Sequence, residues 1–348
     1  MEVWFQDGNV EAIRRPPIPD EFVAMAIPIS TDEDGRGNQV GILLLSIEGT
    51  GSVRSALTGT YTIYLKTSRS SFITTMNVNG NGLIIGGGGG IGRACVLAFA
   101  RYGAAAVVVA DVNLDAAVQV CEDSRTHATH PHFKAEPHAV DVTSRSSVDD
   151  LTAYATRLLG RIDYCVNAAG LGAETQREVA DADPDEFARL LQTNVTGAFL
   201  VMKSISAIMK TQDARLNDTN SPARGTTRGS IVVIGSASSF SSGPGLMQYT
   251  TSKFGVLGLA KNSALDNAQY GIRVNCICPS WVNTPMVKQA VDNMPGLGEK
   301  INSTVPLGRI ATPEEVADAV IFMSSPLSSY VTGSGFIMDG GTTLTSHT

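Results

Sequence analysis

From Leu83 onward, short runs of β-branched residues alternate with longer stretches of helical period. The runs Leu83–Ile85, Ala106–Ala110, His138–Val140, Tyr164–Val166, Ser230–Ile234, Arg273–Ile277 and Gly335–Met338 predict strands. Between them, Gly92–Tyr102, Leu114–Arg125, Ser146–Leu159, Pro184–Met209, Gln248–Tyr270 and Pro313–Met323 predict helices. This alternation predicts an α/β fold: a doubly wound parallel sheet of about seven strands with helices on both faces. Its ligand crevice would lie outside the carboxyl ends of the strands.

Residues 1–75 do not share this rhythm. Pro16-Pro17-Ile18-Pro19, Thr31–Asn38 and Thr67–Ser71 are breaker or polar clusters with no helical period between them. They predict an irregular extension, with Met76 as the candidate start of a single domain over 76–348. An extra hairpin or partner-binding arm is the alternative. Thr211–Gly229, polar and rich in Asn, Pro, Arg and Gly, predicts a surface loop.

At 348 residues and 43% hydrophobic content the chain can bury a sizeable core. A net charge of −7 with no basic footprint excludes nucleic acid as an expected partner. No basic leader opens the sequence, and the longest aliphatic run, Val40–Ile47, falls far short of a bilayer span. A cytoplasmic protein with no membrane partner is expected. The five cysteines (Cys95, Cys121, Cys165, Cys276, Cys278) lack zinc-ligand spacing and read as buried thiols. His127, His130, His132 and His138 cluster around two prolines, which reads as a surface loop, so no metal is expected.

Two motifs carry chemistry. Leu83-Ile84-Ile85 runs into Gly86-Gly87-Gly88-Gly89-Gly90-Ile91-Gly92 and then a helix start, the arrangement that lets backbone and a helix N-terminus approach a pyrophosphate. Asp111 closes the next strand, where a carboxylate can accept bonds from both adenosine ribose hydroxyls and repel a 2′-phosphate. With no Arg or Lys beside it or in the glycine loop, NAD is favoured and NADP stays possible; Asp111 as a helix N-cap is the alternative. Tyr249 and Lys253, four residues apart on a predicted helix, place a phenol and an ammonium on one face. A nearby cation favours the phenolate and eases proton exchange, although a half-buried tyrosine with a solvated lysine is the ordinary outcome of that spacing.

Together these motifs resemble the short-chain dehydrogenase/reductase family, of the compact single-domain Rossmann type, from about Gly82 to the C-terminus. Ile85-Gly86-x-x-x-Gly90-Ile91-Gly92 matches its cofactor loop, with Ile85 in place of threonine. Asp141-Val142 matches the pair bordering the adenine, and Asn167-Ala168-Ala169-Gly170 the segment after the fourth strand. Asn194 and Ser236 take the positions of the family's catalytic asparagine and serine, the latter thirteen residues before Tyr249. Pro279–Thr284, including Val282 and Thr284, matches the segment holding the nicotinamide carboxamide, with Ser280 where glycine is usual.

The resemblance implies a secondary alcohol–ketone oxidoreductase. Tyr249 would exchange the proton while hydride passes to or from the nicotinamide, and Lys253 would bind the cofactor ribose as well as assist Tyr249. Ser236 would hold the substrate oxygen, and Asn194 a water beside Lys253. Tyr249 and Lys253 thus count with both the catalytic and the cofactor-binding residues. A non-redox cyclisation or dehydration on the same fold and a silent NAD(H)-binding regulator remain alternatives. Met286–Arg309 would form a lid over the substrate, and its Val287, Val291, Met294, Leu297 and Ile301 suggest an apolar cyclic or acyl small molecule. The helix Gln248–Tyr270 carries more apolar surface than one core face requires, and in the family it builds a dimer face, implying a homodimer or homotetramer.

Overall fold

The computed structural model describes residues 22–30, 38–48, 52–55, 76–293 and 296–345. The chain divides into two units, residues 1–71 and 72–348. In the first, β1 (Phe22–Ser30), β2 (Asn38–Glu48) and β3 (Ser52–Ser55) form an antiparallel sheet in that order, with Phe22 opposite Ser46 and Ser30 opposite Asn38. The irregular extension expected over 1–75 is therefore strand-forming within 22–55. The pattern was misleading because Val40–Leu45 is almost continuously apolar and lacks the alternation that marks a half-buried strand. The proline cluster at 16–19 and the polar stretch at 67–71 lie outside the described residues.

The second unit holds β4 (Asn81–Ile85), β5 (Ala106–Asp111), β6 (Lys134–Ala139), β7 (Tyr164–Asn167), β8 (Arg215–Leu216), β9 (Thr226–Thr227), β10 (Gly229–Ile234), β11 (Ile272–Pro279) and β12 (Gly335–Met338). Seven of these make one parallel sheet in the order β12-β11-β10-β7-β4-β5-β6. The strands β8 and β9 pair as a small antiparallel ladder inside the expected 211–229 loop. Helices α1 (Gly90–Arg101), α2 (Leu114–Arg125), α3 (Arg145–Leu159), α4 (Pro184–Leu190), α5 (Ala198–Thr211), α6 (Met247–Ala268), α7 (Pro285–Asn293), α8 (Leu297–Thr304), α9 (Pro313–Ser324) and α10 (Thr342–Thr345) complete it.

Period two along β4 explains the two layers. Leu83 and Ile85 enter a core shared with α3, α5 and α6, whereas Ile84 enters the opposite core with Phe99 of α1 and Val320 of α9. Both faces being covered, the strands read as unbroken aliphatic runs. Because β4 has β5 on one side and β7 on the other, the chain reverses its winding there, and a crevice opens at the carboxyl ends of β4 and β7.

Two elements differ from the sequence pattern. β6 begins at Lys134, four residues before the expected start, because Pro137 interrupts its apolar pattern. It is an edge strand pairing only with β5, where a missing N–H is tolerated. The single helix expected over Pro184–Met209 is instead α4, a π-helical stretch over Leu191–Gly197, and α5.

Candidate active site

The glycine loop is shaped by backbone contacts that no side chain could share. Gly86 and Gly87 donate their N–H groups to the Ala110 carbonyl at 2.8 and 3.0 Å, folding the loop back over β5. Gly86 has φ 76°, and a Cβ there would lie 2.6 Å from the Ala169 nitrogen. A Cβ on Gly92 would lie 1.9 Å from the Gly86 carbonyl oxygen, so α1 starts in direct contact with the loop. Gly89, the N-cap of α1, has nothing within 4 Å of its Cβ direction, and no acidic residue occupies the first turn. The result is an open cradle at a positive helix end, suited to a diphosphate.

Asp111 faces this cradle. Its Oδ2 accepts from the Gly88 N–H at 2.8 Å and its Oδ1 from the Asn113 N–H at 2.9 Å. The N-cap of α2 is Asn113, whose side chain accepts from the Ala116 N–H, so the capping role considered for Asp111 belongs to its neighbour. Each Asp111 oxygen keeps acceptor capacity for a hydroxyl. Asp141 is exposed, its Oδ1 accepting from the Thr143 N–H and hydroxyl at 2.9 and 2.7 Å. Val142 is buried where the absent Cβ of Gly197 would approach its Cγ2 to 2.8 Å, leaving Asp141 and the local backbone to border a ring. Asn167 is also buried, and its Oδ1 accepts from the Ala169 N–H at 3.2 Å, fixing the Ala168–Gly170 turn. On the far side of the loop, a Cβ on Gly90 would lie 3.5 Å from Thr284 Cγ2, while Ile91 packs on the core under α1. Val282 and Thr284 are buried and held by a bridge from Val282 to Ala311. Glycine loop, Asp111 and Thr284 therefore fit a dinucleotide.

The four residues expected to act on a substrate come from three segments, Tyr249 and Lys253 sharing α6. Lys253 is only 7% exposed, which removes the solvated-lysine outcome. Its Nζ lies 5.6 Å from the Tyr249 ring centroid and donates to the Ile234 carbonyl at 3.2 Å. A Cβ on Gly170 would be 3.6 Å from that Nζ and 3.2 Å from Asn194 Oδ1, so the strand-end backbone passes close beside both groups. Ser236 caps a short 3-10 turn after β10; its Oγ accepts from the Ser238 N–H at 3.1 Å, and its hydroxyl proton has no acceptor among the described residues. Asn194 sits within the π-helical stretch, its Oδ1 accepting from the Leu171 N–H at 2.7 Å and its Nδ2 donating to the Leu171 carbonyl at 3.0 Å. It is thus both the break in the helix and a lock on the turn that borders Lys253.

Three residues were not singled out from the sequence. Ser239 accepts from the Ser236 N–H at 3.3 Å and donates to the Lys253 carbonyl at 2.9 Å, joining the serine turn to α6. The Ser236-x-x-Ser239 spacing is the pattern that could have revealed it. Ser252 accepts from Asn194 Nδ2 at 2.9 Å and donates to the Tyr249 carbonyl at 2.7 Å. Glu186 is buried and binds the segment after Gly170.

The lid region forms α7 and α8. Leu297, Ile301 and Val305 are buried against Trp281, Val287, Ala290 and Val291, so these apolar side chains pack the lid's own interior instead of lining a substrate face. Two short amphipathic helices satisfy one another this way. Met294 lies outside the described residues. Met286 and Leu171, 44% and 39% exposed, are the apolar side chains left beside the Gly170 turn. Cys276 and Cys278 point alike as expected, their Sγ atoms 3.5 Å apart and buried beneath Gly235. Burial pushes the Cys95 and Cys165 thiols up to about 12. Among the described residues no His, Cys, Asp or Glu group is gathered as a metal site needs, and no helix is long and apolar enough to cross a membrane.

A family model described as enoyl-(acyl carrier protein) reductase matches residues 85–343. The short-chain dehydrogenase srdC of Neurospora crassa is 55% identical over 272 residues, spanning 78% of this chain and 100% of that protein. A solved 7α-hydroxysteroid dehydrogenase, complexed with NADH and 7-oxo glycochenodeoxycholic acid, superposes with a TM-score of 0.66 at 28% identity, over 76% of this chain and 95% of that one. A gluconate 5-dehydrogenase from Burkholderia cenocepacia, complexed with NADP and tartrate, does so with a TM-score of 0.67 at 27% identity, over 77% and 97%.

Proposed function

Because the chain belongs to the short-chain dehydrogenase/reductase family and is an oxidoreductase of that kind, we propose that it interconverts a secondary alcohol and a ketone with a nicotinamide cofactor. The observation that carries this reading is the burial of Lys253 between Tyr249, the Ile234 carbonyl and the Gly170 turn. The cofactor, held by the glycine loop, Asp111, Lys253 and Thr284, supplies or accepts the hydride. Tyr249 gives its phenolic proton to the carbonyl oxygen, or takes one from the alcohol. Ser236 donates to the same oxygen, and Lys253 stabilises the charge left on Tyr249. Asn194, bonded through Ser252 to the Tyr249 backbone, keeps the turn and helix in register. Turnover of a ketone panel with NADH tests the reading. Product mass increased by two hydrogens is expected; an unchanged or water-depleted mass would indicate cyclisation or dehydration, and binding without turnover a regulator.

We further propose NAD as the preferred cofactor. Supporting this, Asp111 ends β5 beside the glycine loop, where its charge would repel a 2′-phosphate, and Arg93 of α1 is paired with Asp123 at 2.9 Å. Asp111→Asn keeps an acceptor for the Gly88 N–H but removes the charge. It is expected to shift the NADH to NADPH ratio of kcat/KM by about tenfold or more toward NADPH, the size of a charged hydrogen bond. An unchanged ratio in competition assays would discard this assignment.

The exposed Phe199 of α5 with Phe254 and Leu265 of α6, 48%, 48% and 76% accessible, supports a homodimer or homotetramer through this face. Val256, Leu257 and Ala260 are already buried in the core and do not contribute. Sedimentation at micromolar concentration is expected to give an oligomer that Phe254→Glu dissociates, and a wild-type monomer would refute it.

A further inference from the structure

The segment that follows Gly170 is fastened at two points. Asn194 grips Leu171 through both its N–H and its carbonyl. Three residues on, Glu186 of α4 accepts from the Glu174 N–H at 2.7 Å through Oε1 and from the Thr175 hydroxyl at 3.1 Å through Oε2. Gln248, adjacent to Tyr249, donates from Nε2 to the Thr175 carbonyl at 3.2 Å. Both Glu186 and Gln248 are buried, at 4% and 3% exposure, although nothing in proton or hydride transfer needs a carboxylate there. Burial alone would raise the Glu186 carboxyl; its hydrogen bonds from Glu174, Gln248 and Thr175 outweigh that and hold it below the usual carboxylate range. Between the two fastenings lie only Gly172 and Ala173, and a Cβ on Gly172 would sit 3.2 Å from Met286 Cγ and Sδ of α7.

We infer that Glu186, with Gln248, is a positioning residue for substrate: it holds the strap 171–175, which runs on from the Gly170 turn beside Lys253 and packs on Met286, as a fixed wall, and so sets one boundary of the space a ketone must enter. This rests on the ketone-reductase reading. Glu186 acts on the strap through the Glu174 N–H and the Thr175 hydroxyl and touches no reacting atom. A carboxylate suits the task because it can accept from an N–H and a hydroxyl at once while lacking any proton of its own to place. The salt bridge from Glu174 to Arg189, 2.8 Å but well exposed on both sides, adds little to this hold.

The test uses the full chain with NADH and the variants Glu186→Ala and Glu186→Gln. For Glu186→Ala, amide exchange over 171–177 is expected to speed up about tenfold, as loss of hydrogen bonds to a charged acceptor implies, while exchange over the glycine loop 84–92 stays the same. With whichever ketone is turned over, KM is expected to rise about tenfold with kcat within about threefold and NADH affinity unchanged. Glu186→Gln keeps an acceptor for the Glu174 N–H and is expected to recover most of both losses. Unaltered exchange over 171–177, equal acceleration in the glycine loop, or a fall in kcat at constant KM would overturn the inference. If the wild type reduces no ketone, the reductase reading fails, and the exchange result alone decides the role of Glu186.

Discussion

Tyr249→Phe is expected to lower kcat by about a thousandfold or more, within the range that a positioned general acid contributes, while NADH binds within about twofold of wild type. Phenylalanine preserves the ring beside Lys253 and leaves the Lys253 bond to the Ile234 carbonyl and the Asn194–Ser252 link intact, since none of these uses the phenol oxygen. What disappears is the only proton on that side chain which a substrate oxygen could receive. Steady-state turnover together with NADH fluorescence titration separates the two effects. Retention of even a tenth of the activity would mean that another group supplies the proton, and Tyr249 would lose its assigned role.

The second large effect belongs to the cofactor loop, where two neighbouring glycines should respond differently. Gly92→Ala drives a methyl to within 1.9 Å of the Gly86 carbonyl, backbone against backbone, so α1 must move off the loop. Overpacking of that kind costs about 1–3 kcal/mol or more, and we expect a thermal midpoint lower by several degrees with NADH binding lost. Gly89 has an extended backbone, φ −161°, and open space around it. Gly89→Ala should therefore leave the midpoint unchanged and weaken NADH alone, because its methyl enters the cradle. Calorimetry and fluorescence titration on both variants check the contrast; equal affinity for NADH in Gly89→Ala and wild type would place the diphosphate elsewhere.

The local chemistry of the site was readable wherever it is carried by contiguous residues. The strand–glycine–helix sequence at 83–94, the Asp111 strand end and the Tyr249–Lys253 spacing all depend on neighbours along the chain. What escaped depends on residues distant in sequence. Glu186 looks like one of several acids at a helix start, and only its burial shows that it is spent on the Glu174 N–H and the Thr175 hydroxyl. Ser252 meets Asn194 across 58 positions. The lid residues Val287, Leu297 and Ile301 read as substrate-facing because apolarity does not state its partner, whereas they pack against one another. Lys134–Ala139 and the strands within 22–55 show the opposite failure, in which a proline or an unbroken apolar run hides the period of two.

The π-helical stretch at Leu191–Gly197 makes length, as much as identity, a determinant at this point of the chain. An α-helix advances about 100° per residue, so widening one turn rotates everything beyond it relative to everything before. Leu190 ahead of the stretch and Val201, Met202, Ile205 and Met209 after it are all buried. At about 100° per residue a uniform α-helix would already carry Leu190, Asn194, Val201, Met202, Ile205 and Met209 within about 120° of arc, so the widened turn is not what makes these side chains share a face. What the stretch changes is the backbone: its wider turn rotates α5 relative to α4, and Asn194 within it holds both polar backbone groups of Leu171. An insertion or deletion there would displace Asn194 from Leu171 even at exposed Gln192, whose side chain donates to the Thr143 carbonyl at 3.3 Å.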